Sequence, residues 1–296
     1  MLPPPTSEDL AIIFGFAEGK SPYVPKPRLL KDETERMDCI ANCIAYYKEI
    51  GRGNEREITY AKFCARYLPA VMDRFLDAPI LGLSGPFQPE LYELVNTSLF
   101  IMLVTYHIPY FTKYIRSQKP VAARGKVFTQ VLAERIARFG AFMDLRKELN
   151  PPDVEDEIEV FTDLLVEALV LFSIFVKFFA KYQEPIKTET RNDLSRYLIK
   201  WRQRGWDTSL QRESNRVFAD LQGMSKELAD YVEAGRKQLK ARDKCAYPGC
   251  EIRDNLRACV KCSIVAYCST AHQKAHWDAK DPDIPAHKPT CFETEY

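Results

Sequence analysis

The sequence predicts a mainly α-helical protein: an irregular helical bundle or armadillo-like helix stack, followed by a small module with a short β-hairpin and short helices. Apolar residues recur at helical spacing from about residue 32 to residue 243. No alternating strand pattern occurs in that stretch. Six of the nine cysteines and three of the four histidines then crowd into residues 245–291. With 296 residues, 46% hydrophobic and 28% charged, the chain fits a globular protein with one sizeable core and a small appended unit. The expected organisation is a proline-rich segment at 1–30, a helical domain at 31–243 and the module at 244–292.

The elements follow in order. Met1–Pro5 and Ser21–Arg28 are proline-rich and expected to be extended, flanking a short helix at Glu8–Glu18. Met37, Ile40, Ile44 and Tyr47 form a helical stripe that Gly51 and Gly53 end. Ile58–Leu76 repeats the pattern with Tyr60, Cys64, Tyr67, Val71 and Phe75, and Pro69 predicts a kink. Leu81–Pro89 reads as a loop. Further helices are expected over Glu90–Ser117, Val121–Leu149, Asp153–Tyr182, Asn192–Trp201, Leu210–Leu221 and Lys226–Asp243. No repeat of fixed period appears, so a regular solenoid is not supported. Leu94–Thr112 carries no charge and Ala168–Val176 is almost wholly apolar. The first holds Asn96, His107 and Pro109 and the second is too short to span a bilayer, so both are expected to be buried core helices.

The donors between residues 245 and 291 space out as Cys245-x4-Cys250-x8-Cys259-x2-Cys262-x5-Cys268-x3-His272-x14-His287-x3-Cys291. Eight such donors fill two closed tetrahedral zinc sites. Cys259 and Cys262 have the tight-turn spacing that aims two thiolates at one metal. Cys268/His272 and His287/Cys291 are i, i+4 pairs, expected to share a helix face. Ser269 or Thr270 is positioned to cap the helix carrying His272. Residues 255–259 and 264–268 read as two short strands around the Cys259–Cys262 turn. His276 lies eight residues from Cys268, two turns away, which favours His272 as the ligand and leaves His276 exposed or in a supporting position. The alternative, disulfides, belongs to secreted chains, and no secretory signal precedes Leu10–Phe16. A reducing compartment, cytoplasm or nucleus, is expected.

At Tyr267-Cys268-Ser269, Gln273, Trp277 and His287-Lys288-x-x-Cys291 the sequence resembles the MYND-type zinc finger, over about residues 245–291 only. The resemblance implies interleaved sites: one zinc on Cys245, Cys250, Cys268 and His272, the other on Cys259, Cys262, His287 and Cys291. It departs from the common pattern in the Cys-x4-Cys start, in His272 where many members have Cys, and in a long Asp278–Ala286 stretch with Pro282 and Pro285. Both zincs are expected to be structural, since four protein ligands leave no position for water and a module this small needs metal to fold. The resemblance further implies a protein–protein adaptor that docks a short proline-containing peptide of a partner, transcriptional regulators being frequent ones. Gln273, Trp277 and the strand around Val260–Tyr267 are the expected contacts. An internal ligand from the proline-rich N-terminal segment is a weaker expectation.

Outside the module little chemistry is visible. His107 stands alone and reads as a core or helix-end histidine; Cys39 and Cys43 share a helix face and read as buried hydrophobes. No Gly-x-Ser-x-Gly, phosphate loop or dinucleotide fingerprint is present. Some proteins with this finger are SET-domain methyltransferases, but the Asn-His-Ser-Cys type motif and the strand-rich pattern of that domain are missing. The alternative to an adaptor is an enzyme whose unrecognised active site lies in the helical domain, with the finger as a recruiting appendage. Arg196, Lys200 and Arg204, interleaved with Trp201 and Trp206, and the run Arg236, Lys237, Lys240, Arg242, Lys244 are the basic candidates for phosphate contact or a localisation signal. A net charge of +1 favours solvated faces instead. The expected partner is therefore a protein, with no nucleic acid, membrane or small-molecule substrate.

Overall fold

The computed structural model describes residues 2–24, 33–50, 53–77, 94, 96–149, 154–203, 208–223, 230, 232–235, 243–280 and 285–296. Its helices are α1 (Ser7–Phe14), α2 (Glu33–Ile50), α3 (Gly53–Leu76), α4 (Thr97–Thr105), α5 (Pro109–Arg116), α6 (Phe128–Leu149), α7 (Val154–Ile174), α8 (Thr188–Arg202), α9 (Thr208–Gln222) and α10 (Thr270–Trp277). A single antiparallel ladder, β1 (Arg257–Ala258) and β2 (Ala266–Tyr267), is the sheet among the described residues. The architecture is mainly α, an irregular bundle followed by the small module. The Leu81–Pro89 loop, Arg204, Trp206, most of Lys226–Asp243 and Pro282 lie outside the described residues.

Two groups of helices share the core. α1, α4 and α5 gather around α3, with α2 against α1 and α4, while α6–α9 pack as a bundle, and the 3-10 turn Pro120–Val127 joins the groups. Local chemistry sets the element ends. α1 starts in a capping box, with Asp9 N–H donating to Thr6 Oγ1 at 3.1 Å and Thr6 N–H to the Asp9 carboxylate at 2.8 Å. It ends at Phe14, earlier than the expected Glu18, because Gly15 takes a left-handed φ of 72°. The expected Glu90–Ser117 helix is two helices. Asn96 caps α4 through Leu99 N–H, and Pro109, which has no N–H to continue that helix, opens α5 instead. The Val121–Leu149 expectation begins with the 3-10 turn and is α-helical only from Phe128.

The expected Asp153–Tyr182 helix is α-helical to Ile174, then turns π over Phe175–Phe179 and 3-10 over Ala180–Tyr182. The π turn shifts the register by one residue. Lys177 lies within it, buried, with its Nζ 3.2 Å from Asp220 of α9. Ser173 Oγ donates to the same carboxylate at 2.7 Å, so the charges taken from water are paired and hydrogen-bonded. α3 runs through Pro69 as one helix.

Both uncharged stretches are core, as their lack of polar faces predicts: Leu99, Met102, Leu169, Leu171 and Phe172 are fully buried. No helix among the described residues is long and apolar enough to cross a membrane. Cys39, Cys43 and Cys64 are buried, and burial pushes the Cys64 thiol up to about 12. Gly140, within α6, lies against α8: a Cβ there would sit 2.6 Å from the Tyr197 ring and 3.0 Å from Trp201. Glycine-to-alanine inside a helix ordinarily stabilises by about 0.5–1 kcal/mol. Gly140→Ala should instead destabilise by about 1–3 kcal/mol through overpacking, read as a lower denaturation midpoint.

Candidate metal centre

Turning and extended chain, two strands of two residues each and one eight-residue helix bring eight donors into two clusters. Cys245, Cys250, Cys268 and His272 form the first, and Cys259, Cys262, His287 and Cys291 the second; in each, the ligand atoms lie within 4.8 Å of one another. A tetrahedron with Zn–S of about 2.3 Å and Zn–N of about 2.0 Å has S···S edges of about 3.8 Å and S···N edges of about 3.5 Å. In the first cluster Cys250 and Cys268 Sγ are 3.8 Å apart, and His272 Nδ1 is 3.5 Å from Cys245 Sγ and 3.2 Å from Cys268 Sγ. In the second, Cys259 and Cys291 Sγ are 3.8 Å apart and His287 Nε2 is 3.4 Å from Cys262 Sγ. These spacings fit two structural Zn²⁺ ions. None of the nine cysteines is in a disulfide.

Each cluster is shaped locally. The hairpin pairs Arg257 with Tyr267 and Ala258 with Ala266. Cys259 N–H donates to Val265 O at 2.8 Å and Ile264 N–H to Cys262 Sγ at 3.4 Å, closing the turn that presents two thiols. Ser263 holds a φ of 54° there. Ser269 is the cap of α10, accepting from His272 N–H at 3.2 Å. Cys268 therefore precedes the helix that carries His272, rather than sharing its face. His287 and Cys291 likewise flank a 3-10 turn, Lys288–Thr290, not an α-helix, because Pro289 near its start cannot donate to an i−4 carbonyl.

His276 is buried and not exposed. Its Nε2 lies 3.0 Å from Pro285 O and its Nδ1 3.1 Å from Tyr267 Oη. The carbonyl can only accept, so Nε2 carries the proton and Nδ1 accepts from the tyrosine. Both nitrogens are thus committed, which leaves the metal to His272, and the ring ties the long stretch after Trp277 to the hairpin. Burial and the neighbouring His276 push His287 down to about 4, keeping it in the neutral form that binds metal. Burial opposes ionisation of Cys245, yet hydrogen bonds from the Cys268 and Tyr247 backbone and the His272 side chain bring it down to about 6. Cys262, Cys268 and Cys291 go up, through burial and through neighbouring thiols whose negative charge they would share. Thiols crowded this closely need a cation to ionise together.

Residues 245–291 match the family model of the MYND finger. No curated protein and no solved structure matches the chain. The MYND finger is generally a protein–protein interaction module, and the match leaves residues 1–244 outside it.

The other singled-out residues are placed as follows. Val260 is not in a strand but at the tip of the Cys259–Cys262 turn, 95% exposed. Gln273 and Trp277 lie on α10, both half-buried, with the Trp277 ring edge-on to His287 at 5.8 Å. His107 is exposed at the end of α4, not in the core, its Nε2 3.3 Å from Glu57. Of the basic candidates, Arg196 meets Asp193 at 3.7 Å, Lys200 meets Asp144, and Lys244 meets Glu251 at 2.7 Å. Trp201 is buried in the bundle, unavailable for stacking on a base. The proline-rich start folds on itself and on α2: Tyr23 donates to Pro3 O and Tyr47 of α2 to Pro5 O. It does not lie on the finger as an internal ligand.

Sequence reasoning missed Tyr110 and Lys113 of α5, which contact the second cluster from outside the finger. Tyr110 Oη is 2.9 Å from Thr290 O and 3.0 Å from Phe292 O, and accepts from Phe292 N–H at 2.6 Å. Lys113 Nζ donates to Cys262 O at 2.8 Å and Thr294 Oγ1 at 2.7 Å. No local signal in the sequence marks them, since they lie more than 140 residues upstream. Mass spectrometry under native conditions should find two zincs per chain, falling to one in Cys250→Ser, and strong chelators should abolish the finger's tertiary structure.

Proposed function

We propose that this chain is a non-catalytic adaptor whose MYND finger docks an extended, proline-containing peptide of a partner, with cytoplasmic and nuclear transcriptional regulators as candidate partners. One observation carries the reading: each zinc cluster closes with four protein donors, so the metal is scaffold and what the finger offers is surface.

That surface has the chemistry for an added strand. In the ladder, Cys259 N–H pairs with Val265 O. Alternation then turns the backbone groups of Ala258 away from β2. The far edge of β2 is already used, since Ala246 N–H donates to Ala266 O at 2.8 Å. The open edge is therefore that of β1, where Ala258 turns its N–H and C=O away from β2; Arg257 and Ala258 are both exposed. This differs from the expected edge along Val260–Tyr267. Trp277 offers a half-exposed apolar face against which proline rings pack, and Gln273, one turn earlier on α10, a hydrogen-bonding amide.

The alternative of an active site around His107 has less support, because among the described residues that ring is exposed and paired with Glu57. Paired basic residues likewise favour a protein over a nucleic acid as partner.

A screen of the full chain against arrayed proline-containing peptides should return binders. Trp277→Ala should weaken them at least tenfold while zinc content stays at two. Ala258→Pro, which removes the outward N–H without touching the ladder to β2, should do the same. Peptide binding that survives both substitutions would overturn this reading.

A further inference from the structure

The two zinc clusters are unequally supported. In the first, Cys245 and Cys250 are buried while Cys268 and His272 are partly exposed; in the second, all four are buried. The first is framed by the finger's own chain. Tyr247 stacks on His272 at 4.6 Å, Cys245 N–H donates to Ile252 O, and Cys250 N–H donates to Tyr247 O.

The second is framed partly by the helical domain. Tyr110 of α5 sits between the peptide units on either side of Cys291, hydrogen-bonding at 290 and 292 at once. Lys113, one turn further on, holds the carbonyl of Cys262. Two of the four ligands of this site are thus positioned from α5. Three thiolates, one neutral imidazole and Zn²⁺ leave a net charge of −1, and the Lys113 ammonium supplies the opposite charge. Residues 292–296 complete the clasp. Tyr296 is buried, donates to Cys64 O of α3 at 2.7 Å and meets Tyr114 edge-on at 5.2 Å. The Lys113 ammonium lies 5.9 Å from the centre of its ring.

We propose that α5 of the helical domain is part of the second zinc site, with Tyr110 and Lys113 as positioning residues for Cys291 and Cys262. The zinc on Cys259, Cys262, His287 and Cys291 is then the tightly held one and leaves only when the clasp of 288–296 on α3 and α5 opens. The zinc on Cys245, Cys250, Cys268 and His272 is independent of the helical domain and exchanges first.

Zinc release from the full-length, zinc-loaded chain to a colorimetric chelator, 4-(2-pyridylazo)resorcinol, tests this. Two phases of one zinc each are expected, with Cys250→Ser deleting the fast one. Outer-shell partners typically change metal affinity 10–100-fold. Tyr110→Phe and Lys113→Met should accordingly speed the slow phase about 10–100-fold and leave the fast phase alone, while Lys113→Arg, keeping the charge, stays within a few-fold of the parent. Trp201→Phe, which weakens the bundle far from the finger, controls for general loss of stability and should leave both phases unchanged. The proposal falls if release is a single phase, if Cys250→Ser deletes the slow phase, if Tyr110→Phe and Lys113→Met leave the slow phase at the parent rate, or if Trp201→Phe accelerates it equally.

Discussion

Sulfur atoms held 3.8 Å apart repel one another once ionised, and a dication at the centre of each group turns that repulsion into four bonds. The path of residues 245–291 depends on this exchange. Its sheet has two residues per strand and its helix eight, both below the length at which such elements hold in water. Its large buried hydrophobics are Tyr267 and Ile264, with Tyr247, Leu256, Val265 and Trp277 partly buried, too little for a core of its own. Metal coordination therefore supplies what burial cannot, and the side chains around it serve to aim the donors.

With four protein donors around each metal position, neither cage leaves a ligand position open. The free edge of β1 and the face of Trp277 are consequences of how the cages close. Ala246 must cross β2 to deliver Cys245, which occupies one edge and leaves the other. His287 must lie under Trp277, which keeps that ring half in the fold and half in solvent.

The finger is also not a bead on a string. The 3-10 turn Lys288–Thr290 packs on α3, and residues 292–296 continue as an extended segment with Phe292, Thr294 and Tyr296 turned inward and Glu293 and Glu295 outward. This segment borders a half-open cleft of about 520 Å³ against α3, lined by Ala65, Arg66, Pro69, Lys261 and Phe292 among others. The helical part thus holds the finger through the 3-10 turn and residues 292–296.

Composition, spacing and period were enough for the helical class, the buried character of the Leu99–Met102 and Leu169–Phe172 stretches and the inventory of eight donors, because each depends on residues close in sequence. Breaks were less legible. Pro109 starts a helix as readily as it ends one, and the π turn at Phe175–Phe179 holds Lys177, whose partner Asp220 lies on another helix. The inward turn of His276 required the Tyr267 hydroxyl and the Pro285 carbonyl to converge on it. What the sequence by itself determined is which atoms are able to bind metal. Only the tertiary structure decided which peptide edge stays open and that Tyr110 and Lys113 reach the second cluster, because hydrogen bonds between segments about 150 to 180 residues apart leave no local pattern to read.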